Sequence, residues 1–251
     1  MGDIHMTEKI KALKEILQKS KNLCVFTGAG ISCPSGIPDF RSADGLYNQN
    51  SGLNISPEEI ISHSFFTEHT DLFYDFYKTK MLYPNAQPNA AHRFFADLEA
   101  QGKQVSVVTQ NIDGLHTAAG STRVFEIHGS VLRNHCMQCG TFYPVDAVAE
   151  SAGVPRCAKC GGIIKPDVVL YEEPLDEKTV QGAINAIASA DTMLIIGTSL
   201  VVYPAASYVR YFGGGNMVIL NKTETACDRM ADLTIYDDIV HIVTELSAEK
   251  A

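Results

Sequence analysis

Two cysteine pairs, Cys136-Met-Gln-Cys139 and Cys157-Ala-Lys-Cys160, stand 17 residues apart in this chain. Each CxxC turn can present two thiolates, and a tetrahedral Zn²⁺ takes four. Such a site is closed. Four protein ligands leave no position for substrate, so any chemistry has to come from other residues. Two unrelated redox pairs, or buried thiols, are the alternative reading.

Four other segments carry groups that could do chemistry. The loop Thr27-Gly28-Ala29-Gly30-Ile31-Ser32-Cys33 follows an apolar run. A glycine-rich turn there lets backbone N–H groups approach a pyrophosphate. As a dinucleotide fingerprint it is incomplete: Cys33 occupies the third glycine position, and no strand ending in an acid follows about 20 residues on. The loop continues instead into Ile37-Pro38-Asp39-Phe40-Arg41. A plain strand-to-helix turn is the alternative. The second segment, Thr109-Gln110-Asn111-Ile112-Asp113-Gly114-Leu115-His116, also follows an apolar run. Its amides and carboxylate could bond an amide or ribose hydroxyls, and equally could cap a helix. The third is His128-Gly129. An imidazole with an ordinary pKa of about 6.5 suits general-base work at neutral pH, although a histidine standing alone is more often structural. His92 and His116 are read as structural. The fourth, Gly197-Thr198-Ser199-Leu200 before Tyr203-Pro204, places hydroxyls ahead of a helix start.

The elements that must position these groups are legible as alternating patterns. Apolar runs at Leu23–Thr27, Val105–Thr109, Val124–Ile127, Val168–Tyr171, Met193–Gly197 and Met217–Leu220 read as buried strands. Ile10, Leu13, Ile16 and Leu17 recur at helical spacing, predicting a helix over residues 7–20. Asn89 caps a predicted helix over Ala90–Gln101, and Asp176 one running to about Ala190. Ser56-Pro57-Glu58-Glu59 reads as a capping box, and Pro204 suits a helix's first turn. Strand–helix alternation implies an α/β fold: a Rossmann-like parallel sheet with helices on both faces. Residues 42–85 and 130–165 break the rhythm. The second stretch is too small to bury a core, and metal would supply its stability. It reads as a zinc module, and 42–85 as a helical insertion. The predicted division is 1–41, 86–129 and 166–251 for the nucleotide-binding part, with 42–85 and 130–165 forming a small domain.

Composition narrows the partners. The 251 residues are 45% hydrophobic with a net charge of −9. That charge argues against nonspecific nucleic-acid binding and suits lysine-rich protein segments. No stretch approaches the roughly 18 apolar residues of a membrane span, and the amphipathic N-terminus lacks an apolar signal core. Seven cysteines, an odd number of which four read as metal ligands, point to a reducing compartment, most simply cytoplasm.

Taken together, Gly28–Arg41, Thr109–His116, His128-Gly129, the cysteine pairs and Gly197–Ala205 resemble the sirtuin family of NAD-dependent protein deacylases, in the family's order. The resemblance covers roughly residues 20–240. It implies NAD as a consumed cosubstrate bound between the two parts, and one structural zinc on Cys136, Cys139, Cys157 and Cys160. It implies NAD contacts from Ala29, Cys33, Phe40 and Arg41, and a ribose and nicotinamide pocket of Gln110, Asn111, Ile112 and Asp113. Thr198 and Ser199 would hold the phosphate and ribose side, and Asn221, Asp238 and Ile239 the adenosine end. The implied reaction has the acyl-lysine oxygen attack the ribose anomeric carbon, with His128 as general base acting through the ribose hydroxyls, and Asn111 and Asp113 in the catalytic set. Products would be nicotinamide, O-acyl-ADP-ribose and deacylated protein. The acyl-lysine peptide is expected to add a strand along Val168, Val169, Leu170 and Tyr171.

Two departures bear on specificity. Glu172 stands where the family often has glycine and is expected to bring charge to the acyl-lysine channel. Tyr74-Asp75-Phe76-Tyr77 lacks the arginine of the family's Tyr-x-x-Arg pair, which grips an acyl carboxylate, and this points to neutral acyl groups. A mono-ADP-ribosyltransferase on the same scaffold and a non-catalytic zinc-stabilised nucleotide-binding module are the competing readings.

Overall fold

The computed structural model describes residues 2–39, 45 and 55–248. Phe40 and Arg41, both expected to contact NAD, lie outside the described residues. In chain order the elements are α1 (Gly2–Lys19), β1 (Asn22–Thr27), α2 (Pro57–Ile60), α3 (His63–Glu68), α4 (Thr70–Lys80), α5 (Ala90–Ala100), β2 (Gln104–Thr109), α6 (Leu115–Ala118) and β3 (Val124–Glu126). There follow β4 (Gly129–Cys136), β5 (Phe142–Pro144), α7 (Asp146–Ala149), β6 (Ile164–Val168), α8 (Glu177–Ser189), β7 (Thr192–Ile196), β8 (Asn216–Asn221), β9 (Leu233–Tyr236) and α9 (Ile239–Ala248).

Six strands pair in parallel in the order β3-β2-β1-β7-β8-β9. The central strands are near-continuous apolar runs because helices cover both faces. On one face α1, α5 and α9 bury Leu13, Leu17, Phe95, Ile242 and Leu246 against the sheet. On the other, α8 and a 3₁₀ segment at Ala205–Tyr211 bury Ala183, Ile187, Tyr208 and Val209. Local signals set the helix ends. Asn89 Oδ1 accepts from the Ala91 N–H at 2.9 Å while His92 Nδ1 accepts from the Asn89 N–H, a reciprocal cap. Asp176 accepts from the Thr179 N–H at 2.8 Å. Helix α1 starts five residues earlier than predicted because Met6 extends the Ile10–Leu13–Leu17 stripe against the core.

A third apolar cluster lies apart from the large sheet. It joins Ile60, Phe66, Phe73, Tyr74 and Tyr77 of α2–α4 to Val131, Ile164, Val168 and Leu170, and includes Cys136 and Cys157. Here β4 pairs antiparallel with β5 and β6.

The structure corrects several expectations. The run Val168–Tyr171 is not a strand of the parallel sheet. The strand there is β6, which ends at Val168 and pairs with β4 in the second sheet. An apolar run announces burial, and its partner is chosen by whichever surface lies opposite; here that is the aromatic cluster of α3 and α4. The predicted breaks at 129/130 and 165/166 fall inside or at the edge of β4 and β6, so the two parts share continuous strands. Strand β9, an edge strand short enough to leave no pattern, went unread. The predicted helix after Pro204 is a 3₁₀ segment.

Candidate active site at the reversal of the sheet

The order of the large sheet reverses between β1 and β7: the chain runs from β1 to β2 and β3 on one side, and from β7 to β8 and β9 on the other. In open parallel sheets the ligand crevice lies at the carboxyl ends of the strands flanking that reversal. The loop at Gly28 leaves β1 and the loop at Gly197 leaves β7, so both glycine segments meet there. The cleft between them measures about 1020 Å³, enough for a ligand of dinucleotide size. Ala29, Cys33, Gln110, Asn111, Ile112, His128, Thr198, Ser199, Asn221 and Ile239 all line it, as do Val168, Val169, Leu170 and Tyr171.

The glycines are there for contact. The Gly30 N–H donates to the Gly197 carbonyl at 2.8 Å. A Cβ on Gly30 would sit 2.7 Å from Gly197 Cα, and one on Gly28 2.7 Å from Thr198 Cβ. Gly197 itself has φ +59°. At Gly30 and Gly197 the two loops therefore pack backbone to backbone. Gly30→Ala is expected to destabilise the protein by about 1–3 kcal/mol, because the obstructing atoms are main chain and cannot swing aside. It should also weaken NAD binding. Thermal melts with and without NAD check this, with Gly213→Ala, where a Cβ meets nothing within 4 Å, as the comparison.

Behind Asn111 runs a chain of hydrogen bonds that the sequence did not reveal. Asn111 Nδ2 donates to Ser32 Oγ at 3.0 Å, and Ser32 Oγ donates to Asp113 Oδ2 at 2.7 Å. The other Asp113 oxygen accepts from the Leu115 N–H at 2.9 Å. Asp113 is thus engaged on both oxygens and is not among the residues lining the cleft. Burial pushes its carboxyl above the ordinary range, against the pull of the Leu115 N–H and the Ser32 hydroxyl. The hub is Ser32, one hydroxyl in a loop of small residues, with no spacing signal to mark it. Gln110 Nε2 donates to Thr198 Oγ1 at 3.0 Å, tying the β2 and β7 loops together.

His128 sits half-buried in the cleft wall. Its Nδ1 lies 3.0 Å from the Gln110 carbonyl. A carbonyl only accepts, so Nδ1 carries the proton and Nε2 keeps its lone pair. Burial holds the imidazole below the ordinary histidine value, the Gln110 carbonyl opposing. The other two histidines differ. His116 Nε2 lies 3.1 Å from Thr27 Oγ1 and its ring packs edge-on against His92 at 4.8 Å. Both are fully buried beneath the cleft, and burial takes His92 down to about 4 and His116 to about 3. They are neutral packing groups.

At the far end of the cleft Asn221 Nδ2 donates to the Thr223 carbonyl at 2.9 Å. Asp238 does not line the cleft: one oxygen accepts from the Val240 N–H at 2.9 Å, and the other pairs with Lys222 at 2.9 Å. Its position at the start of α9 makes it a helix cap. Cys33 faces the cleft with its thiol pushed up, chiefly by burial.

On the opposite side the expected strand-addition edge is already occupied in part. The Val169 N–H donates to the His128 carbonyl at 3.0 Å, the Leu170 N–H to Glu173 Oε2 at 2.9 Å and the Tyr171 N–H to the Ile61 carbonyl at 3.0 Å. Tyr74 and Tyr77, placed by sequence beside an acyl channel, are wholly buried in the third cluster and do not line the cleft. The apolar wall consists of Ile61, Met81, Ile112, Val168 and Leu170. The Glu172 carboxylate accepts from the Ser64 N–H and Oγ, which hold it below the ordinary carboxylate range.

The four cysteines converge away from this cleft. Their sulfurs all lie within 4.8 Å of one another, with Cys136–Cys160 at 3.4 Å and Cys139–Cys157 at 3.6 Å. None is in a disulfide. A Zn–S bond of about 2.3 Å puts tetrahedral sulfurs about 3.8 Å apart, so the cluster fits a closed Zn²⁺ site. Tyr143 Oη donates to Cys157 Sγ at 3.2 Å, an outer contact of the kind that fixes metal ligands.

Known proteins share this arrangement. The profile of the Sir2 family matches residues 28–204. The NAD-dependent protein deacetylase of Clostridium perfringens is 57% identical over 93% of this chain and 96% of its own. That of Staphylococcus aureus (strain N315) is 41% identical over 97% of this chain and 100% of its own. Among solved structures, "Sir2-p53 peptide-NAD+" superposes with a TM-score of 0.83 at 40% identity, covering 96% of this chain and 98% of that one. "Structure of Sir2Tm bound to a propionylated peptide" gives a TM-score of 0.83 at 38% identity, with the same coverage. With the profile spanning most of the chain and relatives matching nearly all of it, this protein belongs to the Sir2 family.

Proposed function

We propose that this protein removes acetyl and other uncharged acyl groups from lysine side chains of proteins, consuming NAD. Bound NAD would supply the ribose carbon that takes the acyl oxygen as nicotinamide leaves, and with one water consumed the products are nicotinamide, O-acyl-ADP-ribose and free lysine. The observation that carries this reading is His128: a neutral imidazole in the cleft wall, its Nδ1 proton committed to the Gln110 carbonyl and its Nε2 basic. In this reading His128 takes a proton from the ribose hydroxyls. Asn111, steadied by Ser32, orients the ribose, and Asp113 acts through Ser32 and the Ile112–Leu115 turn. Ala29, Cys33, Gln110, Thr198, Ser199, Asn221 and Ile239 would contact NAD, with Phe40 and Arg41 adding to the loop side. Val168 to Tyr171 would meet the acyl-lysine. Zinc on the four cysteines is structural.

Relatives support the acyl class: one neighbour in the family is solved with an acetylated peptide and another with a propionylated one. The cleft wall nearest Val168 and Leu170 is apolar. Among the described lining residues Lys222 is the single lysine or arginine, and it pairs with Asp238 at the other end. A succinyl carboxylate would be buried there unpaired, which costs several kcal/mol. Mass spectrometry of one peptide carrying acetyl-, propionyl- or succinyl-lysine, with enzyme and NAD, tests both points. Acetyl and propionyl peptides are expected to lose the acyl group with matching O-acyl-ADP-ribose. Succinyl turned over as fast as acetyl refutes the neutral-acyl reading. ADP-ribose mass added to protein without deacylation would favour the transferase.

No described helix is long and apolar enough to cross a membrane. A cytoplasmic setting is part of the proposal, supported by seven cysteines of which none is in a disulfide.

A further inference from the structure

Glu172 adopts φ +75°, a region where glycine is at ease and a side-chain-bearing residue is strained. Such a conformation persists only where surrounding contacts impose it. The contacts are on the page. Glu172 Oε2 accepts from both the Ser64 N–H at 2.8 Å and Ser64 Oγ at 2.7 Å. These two bonds extend a seam between residues 61–64 and 170–172. In that seam the Tyr171 N–H donates to the Ile61 carbonyl at 3.0 Å, and the His63 N–H to the Tyr171 carbonyl at 3.0 Å. Glu173 adds a second brace, accepting from the Leu170 N–H at 2.9 Å, from Lys165 Nζ at 3.0 Å and, on the same α3 segment, from His63 Nδ1 at 2.9 Å.

The seam is part of the cleft. Ile61 lines it from one side, and Leu170, Tyr171 and Glu172 from the other. His128 and Asn111 stand on separate loops and make no contact with Ser64 or Glu172 among the bonds described. The wall meets His128 only through the Val169 N–H on its main-chain carbonyl, at 3.0 Å, while the ring keeps its own bond to the Gln110 carbonyl, so removing the Glu172 side chain would loosen the wall without releasing the imidazole. A glycine at position 172 would supply the backbone turn without an anchor. Here the chain bears the strain of a left-handed glutamate, and the carboxylate ties the wall to α3.

We propose that Glu172 is a positioning residue for the acyl-lysine substrate: its grip on Ser64 preorganises residues 169–172 as the wall the peptide meets. The proposal rests on reading this cleft as the deacylation site. Holding a binding segment in place before the ligand arrives removes the ordering cost from association, so the grip should appear in peptide KM and not in kcat.

The test uses Glu172→Gly, Glu172→Gln, Ser64→Ala and the Glu172→Gly/Ser64→Ala double variant of the full chain. Glu172→Gly is expected to raise KM for an acetyl-lysine peptide about 5- to 10-fold, the scale of losing charge-assisted hydrogen bonds near solvent. Its kcat and its KM for NAD should stay within about twofold. Glu172→Gln should restore most of the loss, since its amide oxygen accepts the same two bonds. Ser64→Ala should raise peptide KM alone and add nothing to Glu172→Gly, the non-additivity expected of a shared contact. Hydrogen exchange without substrate gives a readout independent of turnover: the Ser64 and Tyr171 amides should lose protection in Glu172→Gly. Unchanged peptide KM, or a rise in KM for NAD equal to that for peptide, overturns the proposal. If no acyl-peptide is turned over at all, the deacylase reading fails; exchange then decides the grip itself, and unchanged protection of both amides overturns it.

Discussion

His128→Ala is expected to lower turnover of an acetyl-lysine peptide by about 100-fold or more, the usual worth of a general base. The fold and the zinc should survive, because the ring makes one hydrogen bond and lies at the cleft surface, outside all three apolar clusters. The pH profile adds a second signature. The active form is the neutral ring, and burial favours neutrality, so the folded pKa lies below the ordinary histidine value. Activity should be flat through neutrality and fall only as pH drops through that lowered value. Burial raises the Asp113 carboxyl, and an acid limb that Asp113 owned would persist in the residual activity of His128→Ala. His116→Ala is the comparison. It removes a fully buried ring from a packed pair, so its cost should register in the melt. An undiminished rate in His128→Ala would refute the assignment, and so would an acid limb centred above the ordinary histidine value.

Stripping the zinc is expected to abolish peptide turnover by unfolding the second sheet. A structural Cys₄ site contributes an apparent binding energy of about 10–16 kcal/mol, comparable to the whole stability of a domain. The loss should spread in one direction. Cys136 and Cys157 are buried in the same cluster as Ile164, Val168 and Leu170, so releasing them loosens the wall that meets the acyl-lysine. The large sheet is held by two other clusters and keeps its packing. Hydrogen exchange should therefore show β4–β6 unprotected and β1 and β7 still protected. Metal analysis of the untreated protein should return about one zinc per chain. Cys136→Ala should behave like the stripped protein. Full activity with an unchanged melt after complete zinc removal would end this account.

Much of this was written locally, and therefore legibly. Helix starts at Asn89 and Asp176, the Ile10–Leu17 stripe, and the runs that became β1, β2, β7 and β8 depend on neighbours a few residues apart. The cysteine spacing belongs to this class, since a CxxC turn brings its own two sulfurs together. Glycines 28 and 30 announced close approach, and His128 announced a titratable group at a strand end. What they approached was not written. Which strands would be neighbours, and hence that the β1 and β7 loops would face one another, is fixed by long-range pairing. So is the fate of Val168–Tyr171, whose apolar character states that it is buried and leaves its partner open. Tyr74 and Tyr77 turned inward because α4 packs its aromatic stripe on the second sheet, a choice that helical periodicity allows and does not dictate. Ser32 linking Asn111 to Asp113, the Gln110 carbonyl fixing the His128 proton, and Ser64 gripping Glu172 are each bonds between residues that sequence holds far apart. A hydrogen bond demands atoms about 3 Å apart. Residue type can make such a bond available, and only the packed chain brings its two ends together.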